Sequence, residues 1–357
     1  MEKRIAKTVF VGRVPVGGGH PIPVQTMTNT DARDRAATLD QLRRLQTTGC
    51  DIIRLAVPDE DAAEIFRLAK ADGIQTPLVA DIHFDYRLAL AAIRAGADKI
   101  RINPGNIGAE WKVKEVADAC RAAGLPIRIG VNGGSLDKTL LEKYGSPTAE
   151  ALAESALMQA EMLEKFGFSD TVISIKSSRV KTMLDACRIV AEKSSYPLHI
   201  GVTEAGDVYS GLVKNAIGIG ALLSSGIGDT IRVSLTGDPA DEVKAGREIL
   251  AALDLDTRGG IRIVSCPTCG RTRIDLIALS AAFRKAAEGI DTRGKTVTVA
   301  LMGCVVNGPG EAREADVGVA GGDGCTVLFR RGETVCRLEE SETVPRLIEE
   351  VQKLINT

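Results

Sequence analysis

Lys99-Ile100-Arg101-Ile102-Asn103 alternates polar and branched apolar side chains at every step, the period-two pattern of a strand with two unlike faces. Before it, a helical pattern over 86–95 stops at Gly96. After it, a second over 111–122 stops at Gly124 and hands on to another β-branched run, 126–132. Glycine just past a helix end, where a left-handed residue is wanted, is the expected stop. The same unit recurs in both directions along the chain. Predicted strands cover 22–27, 51–57, 77–83, 99–103, 126–132, 171–176, 198–204 and 230–235. Predicted helices cover 40–48, 60–71, 86–95, 111–122, 149–166, 181–193, 209–225 and 240–252. Eight strand–helix units predict an α/β fold that opens with a (β/α)8 TIM barrel. An open doubly wound sheet is the rival, but no G-x-G-x-x-G follows the first strand. Lys7–Val16, with Gly17-Gly18-Gly19 behind it, reads as a hairpin plugging the barrel bottom.

The rest of the composition agrees. Of 357 residues, 44% are hydrophobic and only 3% aromatic, and the net charge is −2. A large core is available, while a basic field or a stacking surface for nucleic acid is not. No stretch approaches the roughly 20 apolar residues of a membrane span, and no apolar run follows the charged N-terminus. The expectation is a soluble, cytoplasmic protein with no nucleic-acid or membrane partner, whose eight cysteines are thiols or metal ligands rather than disulfides.

Several predicted strands carry a cation followed two residues later by a small or polar residue: Arg54 and Ala56, Arg101 and Asn103, Arg128, Gly130 and Asn132, Lys176 and Ser178, Arg232 and Ser234. Barrel interiors are normally filled with aliphatics, and a buried, unpaired charge is costly. Five strands each placing a cation near the C-terminal mouth point to a pocket for a compact, strongly anionic ligand such as a phosphate or diphosphate. Nearby acids, Asp81 and Glu204, could pair with some of these cations. His83 ends a strand, where catalytic residues gather. His199 reads as a structural hydrogen-bonder, and His20 as neither.

Residues 1–253 thus form the barrel domain, 254–260 a linker, and 261–357 a small α+β domain with strands predicted at 261–264, 296–302, 316–319, 326–329 and 334–338 and helices at 272–288 and 343–355. Two motifs stand out in it: Cys266-Pro267-Thr268-Cys269-Gly270-Arg271, and Met302-Gly303-Cys304-Val305-Val306-Asn307-Gly308-Pro309-Gly310-Glu311. Thiolates at this spacing suit a metal or an iron–sulfur cluster. No histidine lies in this half of the chain, so a zinc site would need Cys325 or Cys336 as a fourth ligand. Three thiolates with a weaker fourth ligand would leave one iron exchangeable, and Glu311 is close enough along the chain to reach it. Cys50, Cys120 and Cys187 read as core residues.

At these motifs the chain resembles the 4-hydroxy-3-methylbut-2-enyl diphosphate synthases of the non-mevalonate isoprenoid pathway, in their bacterial two-domain form. The resemblance runs nearly end to end and includes Pro23–Thr30, Asp81–Phe84, Ile102–Asn106, Gly130–Leu136 and both cysteine motifs. It implies an iron–sulfur oxidoreductase with a 4Fe–4S cluster held by Cys266, Cys269, Cys304 and Glu311. It implies reductive ring opening and dehydration of 2-C-methyl-D-erythritol 2,4-cyclodiphosphate, with flavodoxin or ferredoxin as electron donor. It also implies a homodimer in which the cluster domain of one subunit closes over the barrel of the other. On this basis Arg54, Arg101, Arg128, Lys176 and Arg232 are assigned to the diphosphate, helped by Asn103, Asn132 and Ser234. Glu204 is assigned to proton delivery, with His83 as second candidate. Asn307 is placed on substrate or cluster, and Arg271 as electrostatic support. Two rivals stay open on residues alone: a redox-silent, pterin-type barrel synthase with structural zinc, and a zinc-ribbon module on a degenerate barrel.

Overall fold

A computed structural model describes residues 4–304 and 314–357. The chain divides into two units, Met1–Asp256 and Thr257–Thr357, with the division inside the 254–260 stretch.

The first unit opens with an antiparallel hairpin, β1 (Val9–Val11) and β2 (Val14–Val16). Its buried valines pack on Ile52, Val79 and Val172, near the starts of three barrel strands. Eight parallel strands follow: β3 (Gln25–Met27), β4 (Ile52–Ala56), β5 (Leu78–Asp81), β6 (Lys99–Ile102), β7 (Ile127–Asn132), β8 (Thr171–Lys176), β9 (His199–Ile200) and β10 (Thr230–Ile231). β3 to β8 form one sheet in sequence order and β9 pairs with β10. Single bridges from Ile173 to Leu198 and from Val24 to Ile231 join the two sheets, so parallel pairing runs round the whole circle and the barrel closes. The last two strands are shorter than the expected 198–204 and 230–235. Gly201 lies so close to the Arg232 carbonyl that a Cβ there would come within 2.1 Å of its oxygen.

Among the described residues ten helices cover this unit: α1 (Arg35–Thr47), α2 (Glu60–Ala71), α3 (Tyr86–Arg94), α4 (Pro104–Ile107), α5 (Glu110–Ala123), α6 (Lys138–Tyr144), α7 (Ala149–Lys165), α8 (Val180–Lys193), α9 (Val208–Ser224) and α10 (Pro239–Ala252). The short α4 and α6 carry too few apolar positions to register as periodic and were not expected. Ile53, Leu55, Ile100, Ile102, Ile127, Ile129, Ile173 and Ile175 all belong to the main core with the helices. Because side chains alternate along a strand, this apolar outer layer forces the other parity, with Arg54, Lys99, Arg101, Arg128 and Ser174, into the barrel interior.

In the second unit β11 (Gly260–Ser265), β12 (Thr296–Met302), β13 (Val317–Gly322), β14 (Cys325–Arg330) and β15 (Glu333–Leu338) form one sheet in that order. The first three run parallel and the last two turn back antiparallel. α11 (Leu276–Ala287) and α12 (Glu340–Asn356) cover it, burying Leu276, Phe283, Val299, Leu301, Leu347 and Val351. The first helix starts at Leu276 rather than 272. The Thr272 and Arg273 N–H groups donate to the Cys269 and Gly303 carbonyls, and Asp275 caps the helix through Ala278 N–H. Among the described residues no helix is long and apolar enough to cross a membrane.

Candidate anion-binding mouth and cysteine site

Asp81, at the end of β5, is the hub of the barrel mouth. Its carboxylate accepts from Arg54 Nη2 at 2.9 Å on the preceding strand and from Arg101 Nη1 at 3.0 Å on the next. His83 Nε2 lies 3.1 Å away, with its ring about half exposed. Burial alone would raise this carboxyl, but Arg54, the His83 hydrogen bond and Arg101 hold it well below the usual carboxylate range. Gly130 on β7 makes room for this arrangement: a Cβ there would sit 2.6 Å from Arg101 Nε.

The opposite side of the mouth has its own carboxylate. Glu242, in the first turn of α10, is 4% exposed and accepts from Arg232 Nε and Nη2 at 3.3 and 3.2 Å, from Thr26 Oγ1 at 2.6 Å and from Leu235 N–H at 3.1 Å. Sequence reasoning offered Glu204 as the second partner. Glu204 is exposed and has φ 51° beyond the end of β9, and Glu242 fills that role instead. Nothing in the sequence marks Glu242, because a first-turn helix carboxylate is ordinarily a solvated group favoured by the helix dipole.

Arg128 is 1% exposed, and its Nε and Nη1 have no hydrogen-bond partner among the described residues. Burial, then Arg54 and Arg101 beside it, push this guanidinium well below its ordinary value. Lys176, partly buried at the end of β8, is pushed down by burial, Arg232 and Arg128. Asn103 is buried, and its Oδ1 accepts Gly105 N–H at 3.1 Å as the cap of α4. Asn132, the last residue of β7, and Ser234, three residues beyond the end of β10, are half-buried. The structure therefore brings Arg54, Arg101, Arg128, Lys176 and Arg232 to one mouth, with Asp81 and Glu242 as their carboxylate partners. That excess of buried cation over carboxylate calls for an anion.

Lys99 lies below this ring and was missed, although it shares the parity of Arg101. It is fully buried and its Nζ has no partner among the described residues. Burial, then Arg128 and Arg54, push it far down. A base depressed by folding costs stability at pH values below its unfolded pKa of about 10.4, and the cost fades as pH rises to that value. Lys99→Met is therefore expected to stabilise the fold by about 1–3 kcal/mol at pH 7. The gain should shrink toward pH 10, as read by denaturant titration across pH. A destabilised variant would refute the assignment of an uncompensated charge.

The cysteine motifs meet at one end of the second unit's sheet. β11 and β12 are parallel neighbours, with Ser265 opposite Leu301. Cys266 follows the first strand directly, and Cys304 follows the second by two residues. Gly303 N–H donates to Cys266 Sγ at 3.2 Å, and Cys269 N–H donates to Thr272 Oγ1 at 3.1 Å. Hydrogen bonds from the Arg271 backbone and side chain lower the Cys269 thiol. Donors aimed at sulfur favour thiolate, the form that binds metal. Gly303 is needed at this crossing, since a Cβ would approach Thr272 Cγ2 to 2.8 Å. By contrast, burial pushes Cys50, Cys120 and Cys187 up to about 12, which keeps them protonated core residues. Cys325 and Cys336 are half-buried on β14 and β15. Asn307 and Glu311 lie outside the described residues. Among the described residues no three His, Cys, Asp or Glu side chains are gathered tightly enough to hold a metal ion. The donor set itself, three thiols of which Cys266 and Cys269 receive N–H donors, fits a thiolate-bound group.

A closed barrel with a cation-lined mouth, followed by an α+β domain presenting thiols at adjacent strand ends, defines the class. The chain matches the GcpE TIM-barrel domain over residues 6–247 and the GcpE protein C-terminal domain over residues 262–353. It belongs to the GcpE family. Its relatives include proteins named 4-hydroxy-3-methylbut-2-en-1-yl diphosphate synthase (flavodoxin). The one from Geobacter sulfurreducens is 54% identical over 353 residues, 99% of each chain. The one from Symbiobacterium thermophilum is 54% identical over 353 residues, 99% of this chain and 94% of its own. Among solved structures, dihydropteroate synthase from Yersinia pestis superposes with a TM-score of 0.50 at 13% identity, over 69% of this chain and 98% of its own. Type I 3-dehydroquinate dehydratase from Clostridium difficile gives 0.51 at 12% identity, over 70% and 98%. These last two likenesses show the barrel fold alone.

Proposed function

We infer that the protein is a 4-hydroxy-3-methylbut-2-enyl diphosphate synthase that reductively opens and dehydrates 2-C-methyl-D-erythritol 2,4-cyclodiphosphate. Family membership along nearly the whole chain supports the reaction. The observation that carries the substrate class is the buried cation excess at the mouth, centred on Arg128. Residues 1–253 serve as the substrate domain, 254–260 as a linker and 261–357 as the cluster domain. Arg54, Arg101, Arg128, Lys176 and Arg232 hold the diphosphate, with Asn103, Asn132 and Ser234 around it. Asp81 and Glu242 fix the arginine forks at the correct angle without neutralising the pocket. Glu204 or His83 delivers a proton to the departing oxygen, which leaves as water. Cys266, Cys269 and Cys304, with Glu311, would hold a 4Fe–4S cluster, which would relay to the substrate the two electrons that the reduction consumes. Flavodoxin or ferredoxin is the donor, and the working assembly is a homodimer.

Anaerobic purification is expected to yield a brown protein with about four irons per chain and matching sulfide. Cys304→Ser should lose both while the barrel still binds substrate. Stoichiometric zinc without sulfide would refute the cluster and favour the redox-silent synthase.

A further inference from the structure

We propose that the open groove beside Cys266, between the end of β11 and the first two turns of α11, is the docking surface for an acidic flavoprotein electron donor. This rests on the redox reading above and adds the place where the donor binds. The groove holds about 410 Å³ and is lined by Cys266, Thr268, Ile277, Ser280, Ala281 and Arg284. Ile277, in its wall, is 71% exposed. An isolated exposed isoleucine means little, but this one sits in a concave surface that ends on a cysteine of the thiol site.

The surrounding charge is predominantly basic. Between 271 and 285 the chain exposes Arg271, Arg273, Arg284 and Lys285 against one carboxylate, Asp275; of the four, Arg273 also faces Asp323 at 3.7 Å. Asp275 is committed to capping α11 through Ala278 N–H. The whole chain carries a net charge of −2, so this basic stretch is a local feature. A small apolar contact with Arg284 in its wall and further cations on the same stretch of chain suits a weak, fast-dissociating redox encounter, which buries little area and gains its on-rate from complementary charge. Donor specificity then lies in this rim, and the short path to Cys266 gives the electron its entry. Two encounters, each oxidising one reduced flavin by one electron, supply the two electrons consumed per substrate.

The test uses the holoenzyme and the variants Arg284→Glu and Ile277→Asp. At low ionic strength each is expected to weaken flavodoxin binding and to lower kcat/KM for reduced flavodoxin about tenfold or more, with the wild-type rate falling steeply as salt is added. Turnover driven by dithionite with methyl viologen, the KM for the cyclic diphosphate, and iron content should stay at wild-type values. Unchanged flavodoxin affinity in both variants would overturn the proposal. An equal loss of rate with the chemical reductant, or a raised substrate KM with either reductant, would also overturn it, because the groove would then serve the chemistry or receive another copy of the chain. If the wild type turns over with neither reductant, the redox reading itself fails, and calorimetric titration with flavodoxin still decides whether the surface binds a donor.

Discussion

Arg128→Met is expected to weaken binding of the cyclic diphosphate by more than about a hundredfold and, at the same time, to raise the melting temperature. The two effects share one cause. The guanidinium is 1% exposed, and two of its nitrogens have no protein partner among the described residues. Its desolvation is therefore uncompensated until an anion arrives. Each charged hydrogen bond to a phosphate oxygen contributes about 1.5–3 kcal/mol, so losing two costs about 3 kcal/mol or more, which is the stated factor. Methionine fills similar space without a charge, and the empty fold gains what the complex loses. Calorimetric titration with substrate and a thermal melt without it measure the two halves. Retained affinity would remove Arg128 from the diphosphate site. A lower melting temperature would mean that its charge is already balanced.

Asp81→Asn should have the largest effect on stability, a loss of about 3–5 kcal/mol, the usual penalty for removing one member of a buried ion pair. Asparagine keeps the shape but leaves Arg54 and Arg101 facing each other without a counter-charge. The sign of the pH dependence follows from the depressed carboxyl of Asp81. Its stabilisation is complete above its unfolded pKa of about 3.9 and is lost as pH falls toward its lower folded value. The stability gap between wild type and variant should thus be flat from about pH 5 to 8 and narrow below about pH 4. Denaturant titration across that range checks it. A gap that widens in acid would show that Asp81 is not held ionised by the two arginines.

Much of this was legible in the chain because it is local. The alternation at 99–103, the glycine stops and the repeat length specify strands, helices and a barrel. Once the isoleucines of those strands face the helices, Arg54, Arg101 and Arg128 have to face inward. The same parity would have exposed Lys99, two residues before Arg101, had charge been expected that deep. The thiols were legible for the same reason, since a C-x-x-C turn and a Gly-Cys step following a strand each mark themselves within a few residues. The late start of α11 was not legible, because Arg273 N–H donates across to the Gly303 carbonyl on another strand, a partner that no helical period reveals.

What the sequence determined by itself is the set of elements, the sign of the charge at the mouth and the thiols that end two strands, all of which follow from periodicity and residue type. Only the tertiary structure decided how that charge is balanced. Strand register sets Asp81 between Arg54 and Arg101. The approach of α10 brings Glu242 to both Arg232 and Thr26, residues 10 and 216 positions away along the chain. Among the described residues Arg128 and Lys99 have no hydrogen-bonded carboxylate, because Asp81, in the same row of the wall as Arg128, is already taken by Arg54 and Arg101. Such pairings depend on which strands become neighbours when the barrel closes, and a side chain cannot announce a partner that chain closure alone brings within about 3 Å.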